Sequence, residues 1–153
     1  MLKLVPRTRD EVRANLDVMD ADTRAQISAD WWAKFESSAL EDPWVHGFHL
    51  LLPDGVNVGL GSFKGPPLEG AVEIAYAVLP EHQGKGYATA AARAMVEFAF
   101  RTPEVQRVLA HTLPGSRASQ RVLVKAGFRH VGEAIDPDDG LVWRFEIERG
   151  GGD

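Results

Sequence analysis

Two groups of residues have types and spacings that suit chemistry. The first is the run Gln83-Gly84-Lys85-Gly86-Tyr87-Ala88-Thr89, where two glycines lead into a long apolar stretch. Glycines let the main chain approach a ligand closely, and a helix N-terminus is partly positive, so such a turn suits a pyrophosphate. The same glycines would also serve an ordinary strand-to-helix turn. Two better-known phosphate motifs are excluded. A P-loop would need glycine at position 79, which is Leu79, and the dinucleotide fingerprint would need Gly or Ala where Thr89 stands, with an acid some 20 residues later. The second group is basic. Residues 105–132 contain Arg107, Arg117, Arg121, Lys125 and Arg129 but no Asp or Glu, so the rest of the chain carries −10 against an overall −5. Arg117, Arg121 and Lys125 are four apart, on one face of a predicted helix. A charge run often marks no more than a solvated face. Beside a phosphate-type turn in an acidic protein, this one points to a small polyanionic ligand.

The elements that must position these groups follow from periodicity. Residues 1–43 are rich in acids and helix formers, with aspartates at possible caps, and from Ala21 to Leu40 the residues Ile27, Trp31, Trp32, Phe35 and Leu40 recur at near-helical intervals, which predicts one or two helices there. Adjacent tryptophans point about 100° apart on a helix. Either one of Trp31 and Trp32 lines a pocket or a dimer contact, or both are partly buried as packing. After Pro43 the period changes. Residues 44–52, 56–63 and 71–79 read as three strands on short turns, an antiparallel meander. A helix is predicted over residues 87–101. Its polar positions, Thr89, Arg93, Glu97 and Arg101, form one narrow stripe, so most of its circumference should be covered. A strand over 105–113, a helix over 117–126 capped at Gly127, and strands over 128–133 and 141–148 complete the order. Strand, glycine turn, helix and strand over 71–113 form a right-handed crossover, which puts a parallel pair inside the sheet, where ligands tend to bind.

Composition narrows the function further. The chain has 153 residues, 44% hydrophobic and 25% charged, which suits a single domain over 1–149 with a flexible tail at 150–153. A net acidic protein is a poor partner for nucleic acid or an anionic membrane. No apolar run approaches the roughly 18 residues of a membrane span, and the N-terminal residues lack a targeting pattern, so a cytoplasmic location is expected. There is no cysteine, which excludes disulfides, thiolate metal sites and a cysteine nucleophile. His46, His49, His82 and His130 make no metal-ligand spacing with a carboxylate pair, and no metal is expected.

Two stretches resemble a known family. Val78-x-Pro80-x-x-Gln83-Gly84-Lys85-Gly86-Tyr87-Ala88 is similar to the acetyl-CoA motif of the GNAT N-acetyltransferases, Gln/Arg-x-x-Gly-x-Gly/Ala. Ser116-x-Ala118-Ser119-x-Arg121-Val122-Leu123-x-Lys125-x-Gly127-Phe128 resembles the family's second signature. The style of both is similar to the branch of ribosomal-protein N-terminal acetyltransferases. The resemblance covers roughly residues 44–149 and implies an α+β fold: a mixed, mainly antiparallel sheet with a central parallel pair and helices on both faces.

The resemblance also implies a chemistry. The pantetheine arm of acetyl-CoA would run along Tyr76, Ala77 and Val78, where the parallel strands splay apart. Gln83, Gly84, Lys85, Gly86, Tyr87, Ala88 and Thr89 would hold the pyrophosphate, Ser116 and Ser119 would contact the coenzyme, and the basic helix face would meet the 3′-phosphate. Acetyl would pass directly to a primary amine, on a small molecule or a protein N-terminus, which fits a chain without cysteine. Direct transfer needs a base. Family members carry a glutamate either on the strand that here holds Glu73, the only acid in residues 71–79, or on the next parallel strand, at the position of His111; both are candidates. An oxyanion donor would come from the amide near Val78. Many members have a tyrosine acid where this chain has Leu123, and often Asn where it has Ser116, which can still cap the helix. The empty tyrosine position keeps a second expectation open, a catalytically idle acyl-CoA-binding module. Family members often dimerise, so a homodimer is expected on that basis.

Overall fold

A computed structural model of the chain describes residues 2–137 and 139–150. It opens with strand β1 (Lys3–Pro6), helices α1 (Arg9–Val18), α2 (Ala21–Ala25) and α3 (Ala29–Glu36), and the single turn α4 (Pro43–His46). Strands β2 (Phe48–Leu51), β3 (Asn57–Phe63) and β4 (Ala71–Val78) follow. After a 3-10 turn (Pro80–His82) come α5 (Tyr87–Phe100), β5 (Arg107–Thr112), α6 (Arg117–Lys125), and a closing hairpin of β6 (Arg129–Asp136) and β7 (Gly140–Glu148). All seven strands join one sheet in the order β1-β2-β3-β4-β5-β7-β6. Neighbours are antiparallel except the central pair β4–β5. This is the mixed α+β sheet expected from the sequence, with helices around it.

The N-terminal segment departs from expectation. It starts with a strand that was not expected, and α1 precedes the two helices, α2 and α3, that fall within residues 21–40 where one or two were expected. β1 is only four residues long and ends in Pro6, features of an edge strand whose signal is too short to read from periodicity. The caps are mixed in type. Thr8 forms a capping box with Glu11 at the start of α1, Ser28 caps α3, and Asp20 and Asp42 cap α2 and α4. Residues 43–46 are helical, not extended. Pro43 at the first helical position and the Asp42 carboxylate accepting from the Trp44 amide favour a turn of helix, and β2 begins only after Gly47. Of the expected tail, residues 151–153 lie outside the described residues.

The principal core lies between the sheet and α5. Val72 and Ile74 of β4 and Val108 and Ala110 of β5 are buried on one face, while Glu73, Leu109 and His111 alternate onto the other. Against the buried face, α5 sets Ala92, Met95, Val96 and Ala99, so its alanines let helix and sheet approach closely. The stripe of Arg93, Glu97 and Arg101 stays exposed, as its spacing predicts. From that stripe the Arg93 guanidinium donates to the Lys125 carbonyl at 2.7 Å, tying α5 to the C-terminal turn of α6. Helix α6 ends in paired backbone bonds, Phe128 N–H to Leu123 O and Gly127 N–H to Val124 O, which satisfy its last carbonyls. A separate cluster gathers Val12, Leu16 and Phe35 with Trp31, Trp32 and Val45. Both tryptophans pack on Phe35, Trp31 stacked at 5.1 Å and Trp32 edge-on at 6.2 Å.

Candidate active site

The central parallel pair is short. β4 and β5 pair only from Ala71↔Arg107 to Glu73↔Leu109, after which the strands separate. β4 continues alone against β3, in register from Phe63↔Ile74 to Gly59↔Val78. The Lys64 amide bonds Glu73 O at one end of that ladder and the Leu79 amide bonds Val58 O at the other. Antiparallel hydrogen bonds recur every second residue, so Glu73, Ala75, Ala77 and Leu79 turn their peptide groups toward β3. Tyr76 and Val78 turn theirs the other way, into the gap left by β5. One of these groups is occupied: Gln83 Nε2 donates to Val78 O at 3.0 Å, folding the glycine turn back onto the strand end. The close β3–β4 approach depends on Gly59, where an added Cβ would sit 2.0 Å from the Ala77 carbonyl oxygen.

The glycine turn lies at the open end of this gap. Gly84 and Gly86 both have positive φ, +77° and +85°, and Gly86 occupies the N-cap of α5 in the left-handed region. No side chain caps the helix and its first turn carries no acid. Its first backbone bond runs from the Ala90 amide to Gly86 O. The amides of residues 84–89 therefore have no acceptor among the described residues, leaving the converging donors and partial positive charge of an anion nest.

Strand, turn and α6 together enclose a cleft of about 590 Å³. Tyr76, Ala77, Val78, Gln83, Gly84, Gly86, Tyr87, Ala88, Thr89 and Ser119 line it, joined by Val122 and Lys125 of α6. Burial pushes the Tyr76 phenol up to about 12, so it stays protonated at neutral pH. Two of the residues singled out in the sequence lie elsewhere. Lys85 is exposed and does not line the cleft. Ser116 opens instead onto a smaller cavity of about 250 Å³ with His111, Lys64, Asp136 and Asp139, and Ser119 borders both spaces. Nor does Ser116 cap α6 through its side chain. The turn before α6 is braced by Gln120, whose Nε2 donates to the carbonyls of Leu113 and Pro114 at 3.1 and 3.0 Å.

The basic face of α6 is divided. Lys125 borders both the cleft and an adjoining groove, while Arg117 and Arg121 line only that groove, with His130, Trp143 and Phe145. Leu123 is fully buried in the main core, so this position of the helix faces away from the cleft.

Glu73 and His111, alternatives in the sequence, are in contact. Glu73 Oε2 lies 2.9 Å from His111 Nδ1 and 2.9 Å from Lys64 Nζ, while Oε1 takes no hydrogen bond from the described residues. Burial acts to lower the Lys64 ammonium, but the hydrogen bond and charge of Glu73, with Asp136 and Asp139, outweigh it and hold the ammonium above its ordinary value. On the far side of the imidazole, Arg144 Nε donates to His111 Nε2 at 3.1 Å. These side chains meet because β5 and β7 pair His111↔Arg144 and the β3–β4 ladder ends at Lys64 and Glu73. Neither Lys64 nor Arg144 was identifiable from spacing, since each reaches its partner only through strand register. Lys64 also borders a cavity of about 260 Å³ with Asp30, Trp31, Lys34 and Trp44, so Trp31 both packs and lines a pocket.

Residues 4–129 match the model of the acetyltransferase (GNAT) domain. Among curated proteins, the chain is 34% identical over 119 residues to the Bacillus subtilis protein named "Putative ribosomal N-acetyltransferase YdaF", covering 76% of this chain and 61% of that one. It is 38% identical over 64 residues to the uncharacterized N-acetyltransferase YnaD of the same organism, covering 42% and 38%. The chain thus spans less than two thirds of the length of these relatives. Among solved structures, aminoglycoside acetyltransferase AAC(6′)-Ib, in complex with coenzyme A and kanamycin, superimposes with a TM-score of 0.70 at 22% identity, covering 99% of this chain and 96% of that one. Spermidine N-acetyltransferase from Vibrio cholerae, in complex with CoA and spermine, does so with a TM-score of 0.72 at 15% identity, covering 99% and 97%. At these identities the two structures establish the shared fold.

Proposed function

The chain belongs to the GNAT acetyltransferase family, and on that premise we propose that it binds acetyl-CoA in the splayed-strand cleft and transfers acetyl directly to a primary amine. The observation that carries this reading is the coincidence of two features at one gap. An uncapped helix start with free amides lies at one end, and a carboxylate and an imidazole 2.9 Å apart lie at the point where β4 and β5 part. The amides of residues 84–89 take the pyrophosphate, the outward peptide group of Tyr76 takes the pantetheine amides, and Lys125 stands for the ribose phosphate. Two neighbours of the same fold were solved with coenzyme A, which supports an acyl-CoA as co-substrate.

Acetyl-CoA brings an activated thioester. The Glu73–His111 pair takes a proton from the acceptor ammonium, and the freed nitrogen forms a bond to the carbonyl carbon. The carbonyl oxygen becomes an oxyanion, held by the Val78 amide. Collapse breaks the carbon–sulfur bond, and the thiolate leaves with the remaining proton of the nitrogen. The products are the acetylated amine and CoA thiol, with one proton left on the base. Leu123 is in the core and can supply no proton; the thiolate's proton comes from the nitrogen, with the Ser119 hydroxyl, at the border of the two cavities, as a relay.

The acceptor is an amine of small-molecule or protein N-terminal type. Asp136 and Asp139 around the cavity beside His111 favour a cationic one, in keeping with the kanamycin and spermine named in the neighbouring structures. The test is release of CoA thiol from acetyl-CoA across a panel of polyamines, aminoglycosides and N-terminal peptides. Because the protein has no cysteine, a thiol reagent reads only the product. Transfer to any of these amines supports the proposal. Tight CoA binding without transfer across the panel would instead identify an acyl-CoA-binding module.

A further inference from the structure

We infer that Arg144 is a positioning residue that fixes the tautomer of His111 and so assigns the base role within the pair to Glu73. The inference rests on the proposed transfer reaction and deepens it. An arginine Nε always carries its hydrogen, so the 3.1 Å contact to His111 Nε2 makes that ring nitrogen the acceptor. The ring's single proton then sits on Nδ1, 2.9 Å from Glu73 Oε2. Lys64 Nζ lies 2.9 Å from the same oxygen. Both neighbours lie on Oε2 and leave Oε1 to receive the acceptor's proton. His111 cannot take that proton at Nε2 while the guanidinium covers it, and imidazolium formation there would set two cations in contact.

Among the described residues, the acids around His111 are Glu73 of β4, Asp136 at the end of β6 and Asp139, the cations are Arg144 of β7 and Lys64, and Ser116 and Ser119 contribute neutral hydroxyls. Of these, Arg144 is the group that donates to Nε2. If the ring became charged it would clamp Glu73 in an ion pair and weaken it as a base. Arg144 is exposed and on a strand whose pairing runs along its full length, so replacing its side chain leaves the fold intact.

The test compares the wild type with Arg144→Met, which removes the donor and charge at similar length, and with Arg144→Lys, which keeps the charge. Long-range proton–nitrogen NMR of the histidine rings, with His111 assigned by its loss in His111→Gln, reads tautomer and titration without any acceptor. The wild type should show a protonated Nδ1 and a bare Nε2. Arg144→Met should give mixed tautomers, with Arg144→Lys in between. A wild-type ring protonated on Nε2, or an unchanged single tautomer in Arg144→Met, overturns the inference. If the rings behave as expected but no amine is acetylated, the tautomer assignment stands and the transfer reaction falls.

Discussion

Glu73 Oε2 and His111 Nδ1 lie 2.9 Å apart where the two parallel strands that carry them part, Glu73 in the last pair and His111 two residues past it. The same separation of strands opens the cleft. In the proposed transfer the two residues act as a unit. Changing Glu73→Gln should lower kcat by about 10²- to 10⁴-fold, the usual worth of a positioned base. Adding His111→Ala to that variant should cost little more, because partners in one unit are non-additive. Steady-state acetylation of the best acceptor measures both.

Coenzyme affinity should separate the cations of α6. Lys125→Ala should weaken CoA binding roughly 2- to 5-fold, as befits an exposed charge contact. Arg117→Ala and Arg121→Ala should leave it unchanged, because both side chains line the other groove. Isothermal titration calorimetry distinguishes these outcomes.

The glycine turn should be intolerant at Gly86. A valine there must adopt a φ of +85°, a region closed to β-branched side chains. The wild type should gain about 2.7 kcal/mol of stability from CoA at 100 times its dissociation constant. Gly86→Val should lose that gain, as read by denaturation with and without CoA.

Gly59 is required for packing. An alanine Cβ would strike the Ala77 carbonyl oxygen, which belongs to the backbone and cannot swing aside. Gly59→Ala should therefore destabilise the fold by about 1–3 kcal/mol, measured by urea unfolding, with CoA affinity falling as β4 shifts.

Stability should fall on the acid side through His46. Its ring is buried, accepts from the Asp42 amide at Nδ1 and bonds Ser38 Oγ through Nε2 at 2.9 Å. Burial lowers its protonation below the ordinary 6.5, an effect the Asp42 charge only partly offsets. Unfolding frees the ring to take up a proton, so its contribution is complete above pH 6.5 and drains away as pH drops toward the folded value. Unfolding midpoints measured from pH 7.5 downward should decline more steeply for the wild type than for His46→Gln.

Much of this protein was legible in its sequence, because the relevant physics is local. Gln83-Gly84-Lys85-Gly86 followed by an apolar run specifies a strand-to-helix turn with free amides, and the Thr89, Arg93, Glu97, Arg101 stripe specifies a helix covered on most sides. Strand alternation placed Glu73 and His111 on adjacent elements. Register decided the rest. Only the pairing of β5 with β7 sets Arg144 against His111, only the early end of the β4–β5 ladder opens the cleft, and only the rotation of α6 sends Lys125 toward it while Arg121 turns away. Such contacts join residues far apart in the chain, and their geometry depends on how strands slide and helices rotate against a common core. No periodicity encodes that. The sequence by itself determined which groups could hold a phosphate and move a proton; the tertiary structure decided which of them meet.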